Sequence, residues 1–266
     1  MSAHDIDYKI LGDDMQCVEI ELDPQEAVIA EAGSLMMKDT DIKMQTIFGD
    51  GSGQDTGVFG KIFSAGKRLL TGESLFLTAY THEGQGKKHA TFAAPYPGKI
   101  IPFDLTEYQG KIICQKDAFL CAAKGVAVGI EFQKKLGAGF FGGEGFIMQK
   151  LEGDGFAFIH AGGTIVEKTL NPGEKLQVDT GCLVALTKDV DYDIEFVGGI
   201  RNTFFGGEGV FFASLKGPGK VWVQSLPFSR LADRIIASAP RMGGSRKGEG
   251  SILGGLGDLL DGDNRF

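Results

Sequence analysis

Three glutamates recur in one local context. Glu144 and Glu208 stand in identical Phe-Gly-Gly-Glu-Gly stretches, at 141–145 and 205–209, and Glu73 occupies a worn copy, Leu70-Thr71-Gly72-Glu73-Ser74. If internal symmetry brings the three carboxylates together, their oxygens make a site for a hard cation, so Glu73, Glu144 and Glu208 are the candidate metal ligands. The local reading competes with this and is the stronger. Converging carboxylates repel one another unless a metal or proton joins them, whereas a glutamate between glycines can accept backbone N–H bonds and tie its own turn.

The other motifs argue mostly against chemistry. Gly137-Ala138-Gly139-Phe140-Phe141-Gly142 has the spacing of a dinucleotide loop, but a β run follows where a bound phosphate needs a helix N-terminus. Gly60-Lys61 and Gly66-Lys67 imitate the end of a phosphate loop, yet Ile62 and Arg68 replace the hydroxyl residue it requires. His4, His82, His89 and His160 form no HxH or HxxxH pair of the kind a metal-dependent cupin-type enzyme uses, and His82 and His89 read as a solvated loop. No catalytic residue and no cofactor are assigned. Lys61, Lys67 and Arg68 surround Ile62, Phe63, Leu69 and Leu70 on the best helical candidate, 61–70. They are the candidate surface contact for RNA or anionic lipid, although a loop helix packed on its own sheet is the simpler reading.

The bulk properties narrow the classes further. The chain has 266 residues, a net charge of −8 and 41 glycines. An acidic balance repels phosphate backbones and anionic lipid, so no DNA partner is expected, and RNA or a membrane surface is disfavoured. Four scattered cysteines without a CxxC read as reduced core residues. The first residues carry neither the marks of a signal peptide nor an arginine-rich presequence, and no run approaches the ~18 apolar residues of a membrane span. The expected location is the cytoplasm.

The elements that would position these residues are β strands, written three times. Val18, Ile20 and Leu22 alternate with Glu19 and Glu21, as in a half-buried strand, and Asp23-Pro24-Gln25-Glu26 supplies a turn. The pattern returns at Val166–Leu170 and Asn171–Glu174, and Asp179-Thr180-Gly181-Cys182-Leu183 matches Glu31-Ala32-Gly33-Ser34-Leu35. A fainter central copy runs from Ile113 to Ala122, with Leu120 and Ala122 at the places of Leu183 and Ala185. Each glutamate motif is followed by an apolar run (74–80, 145–151, 209–215); after the last two come a glycine turn and a return strand. Phe211, Phe212 and Trp222 fall inside these strands and read as core. The expectation is an all-β fold of three pseudo-symmetric repeats of short strands, packed as a sandwich. One domain, 1–236, holds units of about 8–98, 99–163 and 164–236. Leu231–Ile236 closes it as a helical turn, and 237–266 forms a flexible glycine-rich tail with a short apolar segment.

The repeated Phe-Gly-Gly-Glu-Gly, Val178-Asp179-Thr180-Gly181, Ala94-Pro95-Tyr96-Pro97-Gly98 and Gln224–Ala232 resemble the altered-inheritance-of-mitochondria type 24 family. That resemblance spans about 18–236 and implies an all-β, double-stranded β-helix-like fold grouped with the tryptophan RNA-binding attenuation protein, often assembled as oligomers. It implies no catalytic residues, and prokaryotic members have no assigned function. The expected activity is that of a non-enzymatic oligomeric β scaffold or binding module, a homo-oligomer of three copies or more. The alternatives are a metal-dependent enzyme or cation-binding protein using the repeated glutamates and, by fold analogy alone, an RNA-binding module.

Overall fold

The computed structural model describes residues 2–48, 76–134, 145–196 and 211–239. After a lead-in strand, β1 (Asp7–Leu11), the chain lays down three sets of six strands. The first set is β2 (Cys17–Leu22), β3 (Ala27–Glu31), β4 (Leu35–Lys38), β5 (Ile42–Phe48), β6 (Phe76–His82) and β7 (Lys88–Ala93). The second is β8 (Gly98–Asp104), β9 (Lys111–Gln115), β10 (Phe119–Ala123), β11 (Ala127–Lys134), β12 (Phe146–Glu152) and β13 (Phe156–Gly162). The third is β14 (Ile165–Leu170), β15 (Lys175–Asp179), β16 (Leu183–Thr187), β17 (Asp191–Phe196), β18 (Phe211–Lys216) and β19 (Gly219–Gln224). One helix follows, α1 (Phe228–Ser238). It begins before the expected Leu231 because the Pro227 carbonyl accepts from the N–H groups of Arg230 and Leu231, which starts the helical ladder early. The chain divides into a body, Met1–Leu231, and a second unit from Ala232 onward, of which the described part is the end of α1.

Local chemistry explains the repeated corners. In β2 the alternation puts Val18, Ile20 and Leu22 on one face, all fully buried. The turn that follows closes with Glu26 N donating to Asp23 O at 3.0 Å, and Gln25 sits at φ 74°. Glu26 then reaches back, accepting from Asp23 N at 2.8 Å. The third set repeats the device: Gly173 stands at φ 80°, and Glu174 accepts from Asn171 N at 2.9 Å. A type II turn needs positive φ at its third residue, so Gly173 fits freely while Gln25 carries a penalty of about 1 kcal/mol.

The three sets make the same antiparallel pairings. In each, the sixth strand lies between the first and third. The fifth lies between the second and fourth. The third strand carries a register shift at the same place each time, between Leu35 and Met37, Phe119 and Cys121, and Leu183 and Ala185. These bulges fix the true correspondence. Phe119 and Cys121, not Leu120 and Ala122, take the places of Leu183 and Ala185, a one-residue correction to the repeat reading.

Strands also pair across set boundaries. The second strand of one set joins the third strand of the next, as β3 with β10 and β9 with β16. Two six-stranded sheets result, ordered β5-β6-β3-β10-β13-β8 and β11-β12-β9-β16-β19-β14. The remaining sheets are smaller: β1-β2-β7-β4 and β15-β18-β17. Near the joints both sheet faces are covered, so β10 is buried along its whole length. One apolar cluster runs through the first two sets and reaches Val184, Ala185 and Trp222; a second gathers Ile113, Phe146 and Met148 against the third set.

The segments connecting the sets meet at one seam. Gly163 N donates to Pro97 O, Ser225 N to Thr164 O, and Leu226 N to Gly162 O. Gln224 spans the seam, its Oε1 accepting from Gly162 N at 2.7 Å and its Nε2 donating to Gly181 O at 2.9 Å. A methyl group on Gly162 would collide with the Leu226 carbonyl and the Tyr96 ring. Gly162→Ala is therefore expected to lower stability by about 2 kcal/mol, read as an earlier urea midpoint at unchanged slope.

His160 is buried in the same seam, edge-on to Tyr96 at 4.5 Å. Burial holds its pKa down to about 4, with the Tyr96 backbone pulling the other way. The unfolded chain then binds a proton that the folded chain refuses between its ordinary value of 6.5 and about 4. Stability is full above pH 6.5 and declines as pH falls through that window, by at most about 3 kcal/mol from this group. His160→Leu is expected to flatten the slope there, measured by chemical denaturation across the pH range.

Candidate functional site at two open sheet edges

Each set carries two joining edges, on its third strand and on its second. Inside the chain they are used, β10 receiving β3 and β16 receiving β9. At the ends of the series they are not. Among the described residues, β4 pairs only with β7, and β15 only with β18. Set end to end, β17-β18-β15 and β4-β7-β2 reproduce the strand order of the six-stranded sheets, with β1 added beyond β2, but among the described residues the joint between β15 and β4 is not made.

Exposure at equivalent positions shows the difference. Met36 corresponds to Leu120 and Val184; it is 60% exposed, where they are 2% and 0%. Met37 corresponds to Cys121 and Ala185; it is 51% exposed, where both are 0%. The same repeat positions are core at the inner joints and bare at the outer one. Covering each methionine would contribute about 1 kcal/mol.

The other half-sheet, β15-β18-β17, has two unlike faces. Leu176, Val178, Ala213, Leu215, Tyr192 and Ile194 share the inner one, and burial pushes the Tyr192 phenol up. The outer face is polar, with Gln177, Ser214 and Asp193 side by side and Lys175, Lys216 and Asp191 in the next row. An open hollow of about 540 Å³ lies there. Gln177 donates to Glu195, Lys134 pairs with Asp193 at 3.0 Å and holds its carboxyl below the usual range, and Arg230 pairs with Asp179 at 3.2 Å. The mixture of charges, and the openness of the hollow among the described residues, suit a protein contact better than a small ligand.

The residues singled out by sequence fare differently. Glu73, Glu144 and Glu208, and Lys61, Lys67 and Arg68, all lie outside the described residues, as do the dinucleotide-like loop and the tail beyond 239. The strands that follow the three glutamates, β6, β12 and β18, belong to three different sheets. Phe146–Glu152 follows the dinucleotide-like loop as a strand. His82 and His89 are not a solvated loop. His82 ends β6 fully buried, and its Nδ1 donates to Leu22 O at 3.1 Å, because the strand brings the ring beneath the turn out of β2. His89 lies on β7, 3.2 Å from Glu21. Trp222 and Phe211 are core, with the Trp222 indole donating to Glu167 at 3.0 Å. Among the described residues no three His, Cys, Asp or Glu side chains are grouped to hold a metal, and no helix is long and apolar enough to cross a membrane. The open edges went unread, although Met36-Met37 standing where the other repeats carry Leu120-Cys121 and Val184-Ala185 was a visible signal.

The fold is that of an all-β protein of three pseudo-symmetric repeats with two unlike open edges among the described residues. The profile of the family described as Mitochondrial biogenesis AIM24 matches residues 8–226, and the chain belongs to that family. An uncharacterized protein of Streptococcus pyogenes serotype M6, M6_Spy0233, is 31% identical over 227 residues, covering 84% of this chain and 86% of its own. The crystal structure of protein SPYM3_0169 from Streptococcus pyogenes shares the fold, with a TM-score of 0.69 and 23% identity over 88% of this chain and 100% of that one.

The edge and joint positions should respond oppositely to charge. Leu120→Glu buries an unpaired carboxylate and is expected to cost more than about 4 kcal/mol, enough to prevent accumulation of folded protein. Met36→Glu, at the equivalent position of β4, is expected to change the unfolding free energy of dilute protein by less than about 0.5 kcal/mol, compared by urea titration.

Proposed function

We propose that this protein is a non-enzymatic β scaffold that acts as a homo-oligomer of three or more copies. The observation that carries the reading is the pair of terminal half-sheets, whose edges are equivalent to edges that pair inside the chain. An uncapped apolar edge strand is a liability that natural proteins cover. Two unlike edges on one molecule are covered most simply by joining copies in a closed assembly. The same reading takes the cytoplasm as the compartment, in keeping with four cysteines that form no disulfide. Light scattering at micromolar concentration tests it. The expected result is one species at an integral multiple, three or more, of the 28.4 kDa chain mass; a 28.4 kDa particle over the whole concentration range overturns it.

A further inference from the structure

The geometry points to the partner and the register at the open edges: a second copy of this chain lays its β4 antiparallel on β15, with Met37 opposite Val178, Lys38 opposite Gln177 and Asp39 opposite Leu176. The inference rests on the oligomeric reading above and goes beyond it in naming which edges meet and how.

The register follows from the two joints already made. In the first, Cys121 faces Ala30, Ala122 faces Ile29 and Ala123 faces Val28. In the second, Ala185 faces Cys114, Leu186 faces Ile113 and Thr187 faces Ile112. The shared bulge makes Met37, Lys38 and Asp39 the counterparts of Cys121, Ala122 and Ala123. Pairing with the fifth strand makes Val178, Gln177 and Leu176 the counterparts of Ala30, Ile29 and Val28. Both existing joints set a bulged third strand on a straight second strand, and the outer edges are one of each.

The chemistry agrees with that placement. Met37 would meet Val178 where the inner joints set Cys121 on Ala30 and Ala185 on Cys114, apolar against apolar each time. Lys38, the only charged residue of β4, would arrive beside Gln177 in the row that ends at Asp193, near Glu195. The contact joins unlike surfaces, so each copy offers one edge of each kind and a single contact leaves one of each still open.

Disulfide trapping in the full-length chain tests this. In a Cys17→Ser/Cys182→Ser background, Lys38→Cys and Gln177→Cys chains are prepared separately, then mixed and mildly oxidised. Directly opposed residues of an antiparallel pair lie within disulfide reach. The expected result is at least tenfold more covalent dimer in the mixture than with either variant alone, mapped to a 38–177 linkage. A discrete oligomer by light scattering that gives no 38–177 linkage overturns this register and leaves the oligomeric reading standing. Linkage of position 38 to 38, or 177 to 177, replaces it with a two-fold contact. A monomer at every concentration overturns both, and protection of position 38 from a thiol reagent in that monomer would show that another part of the same chain covers the edge.

Discussion

The backbone ladder that carries a sheet across the boundary between repeats is the constraint on which the rest of this structure depends. A strand of one set must present its N–H and C=O groups to a strand of the next, since a buried backbone group without a partner is costly. That ladder puts both faces of the joined strands under cover. Strands covered on both faces read as nearly continuous apolar runs, and close packing selects small residues among them. Ala30, Cys114, Cys121, Ala122, Ala123 and Ala185 are all fully buried at the joints for this reason. The cysteines are among them as small apolar fillers. Burial pushes the Cys114 thiol up to about 12 and the Cys121 thiol up as well, which keeps both protonated and unreactive.

Much of the fold was legible because the chain repeats itself in literal terms. The alternation in β2, its echo in β14, and the apolar runs that became β6, β12 and β18 are patterns of period two with turn residues at fixed offsets. The middle copy was misaligned by one residue for a definite physical cause. At the bulge two residues of the third strand oppose one of the sixth, and hydropathy alone does not reveal which residue is the extra one. The start of α1 was displaced likewise, since Pro227 opens the helix through its carbonyl while the apolar spacing begins only at Leu231.

The site was less legible than the fold. Motif reading looks for residues that carry reactive groups, and it selected repeated glutamates and a basic cluster. An open edge carries no such mark. It is defined by a partner strand that the equivalent strands possess and that β4 and β15 lack among the described residues, which is a property of sheet order and not of residue type. His82 and His160 illustrate the same limit from the other side. Both looked like solvent-facing or unassigned polar residues, yet the strands carry both into the interior, where His82 packs beneath the turn out of β2 and His160 makes stability depend on pH.

The remaining sheet edges explain why β4 and β15 stand apart. Edge strands are usually protected by charges set along them, which deter pairing with another chain. Lys9 in β1, Lys43 in β5, Lys99 in β8, Glu131 in β11, Glu167 and Lys168 in β14, and Asp193 in β17 all place a charge within the outermost strand of a sheet. The middles of β4 and β15 carry none: Met36-Met37 in one and Leu176-Gln177-Val178 in the other. If all free edges were equally exposed to aggregation, protection would be spread across all of them. On β4 and β15 the charges stand at the strand ends instead, at Lys38 and at Lys175 and Asp179, so Met36-Met37 and Leu176–Val178 form uncharged stretches along those two edges. Methionine suits that position better than a β-branched residue, because its flexible side chain tolerates water when the edge is open and fills an irregular contact when it is closed.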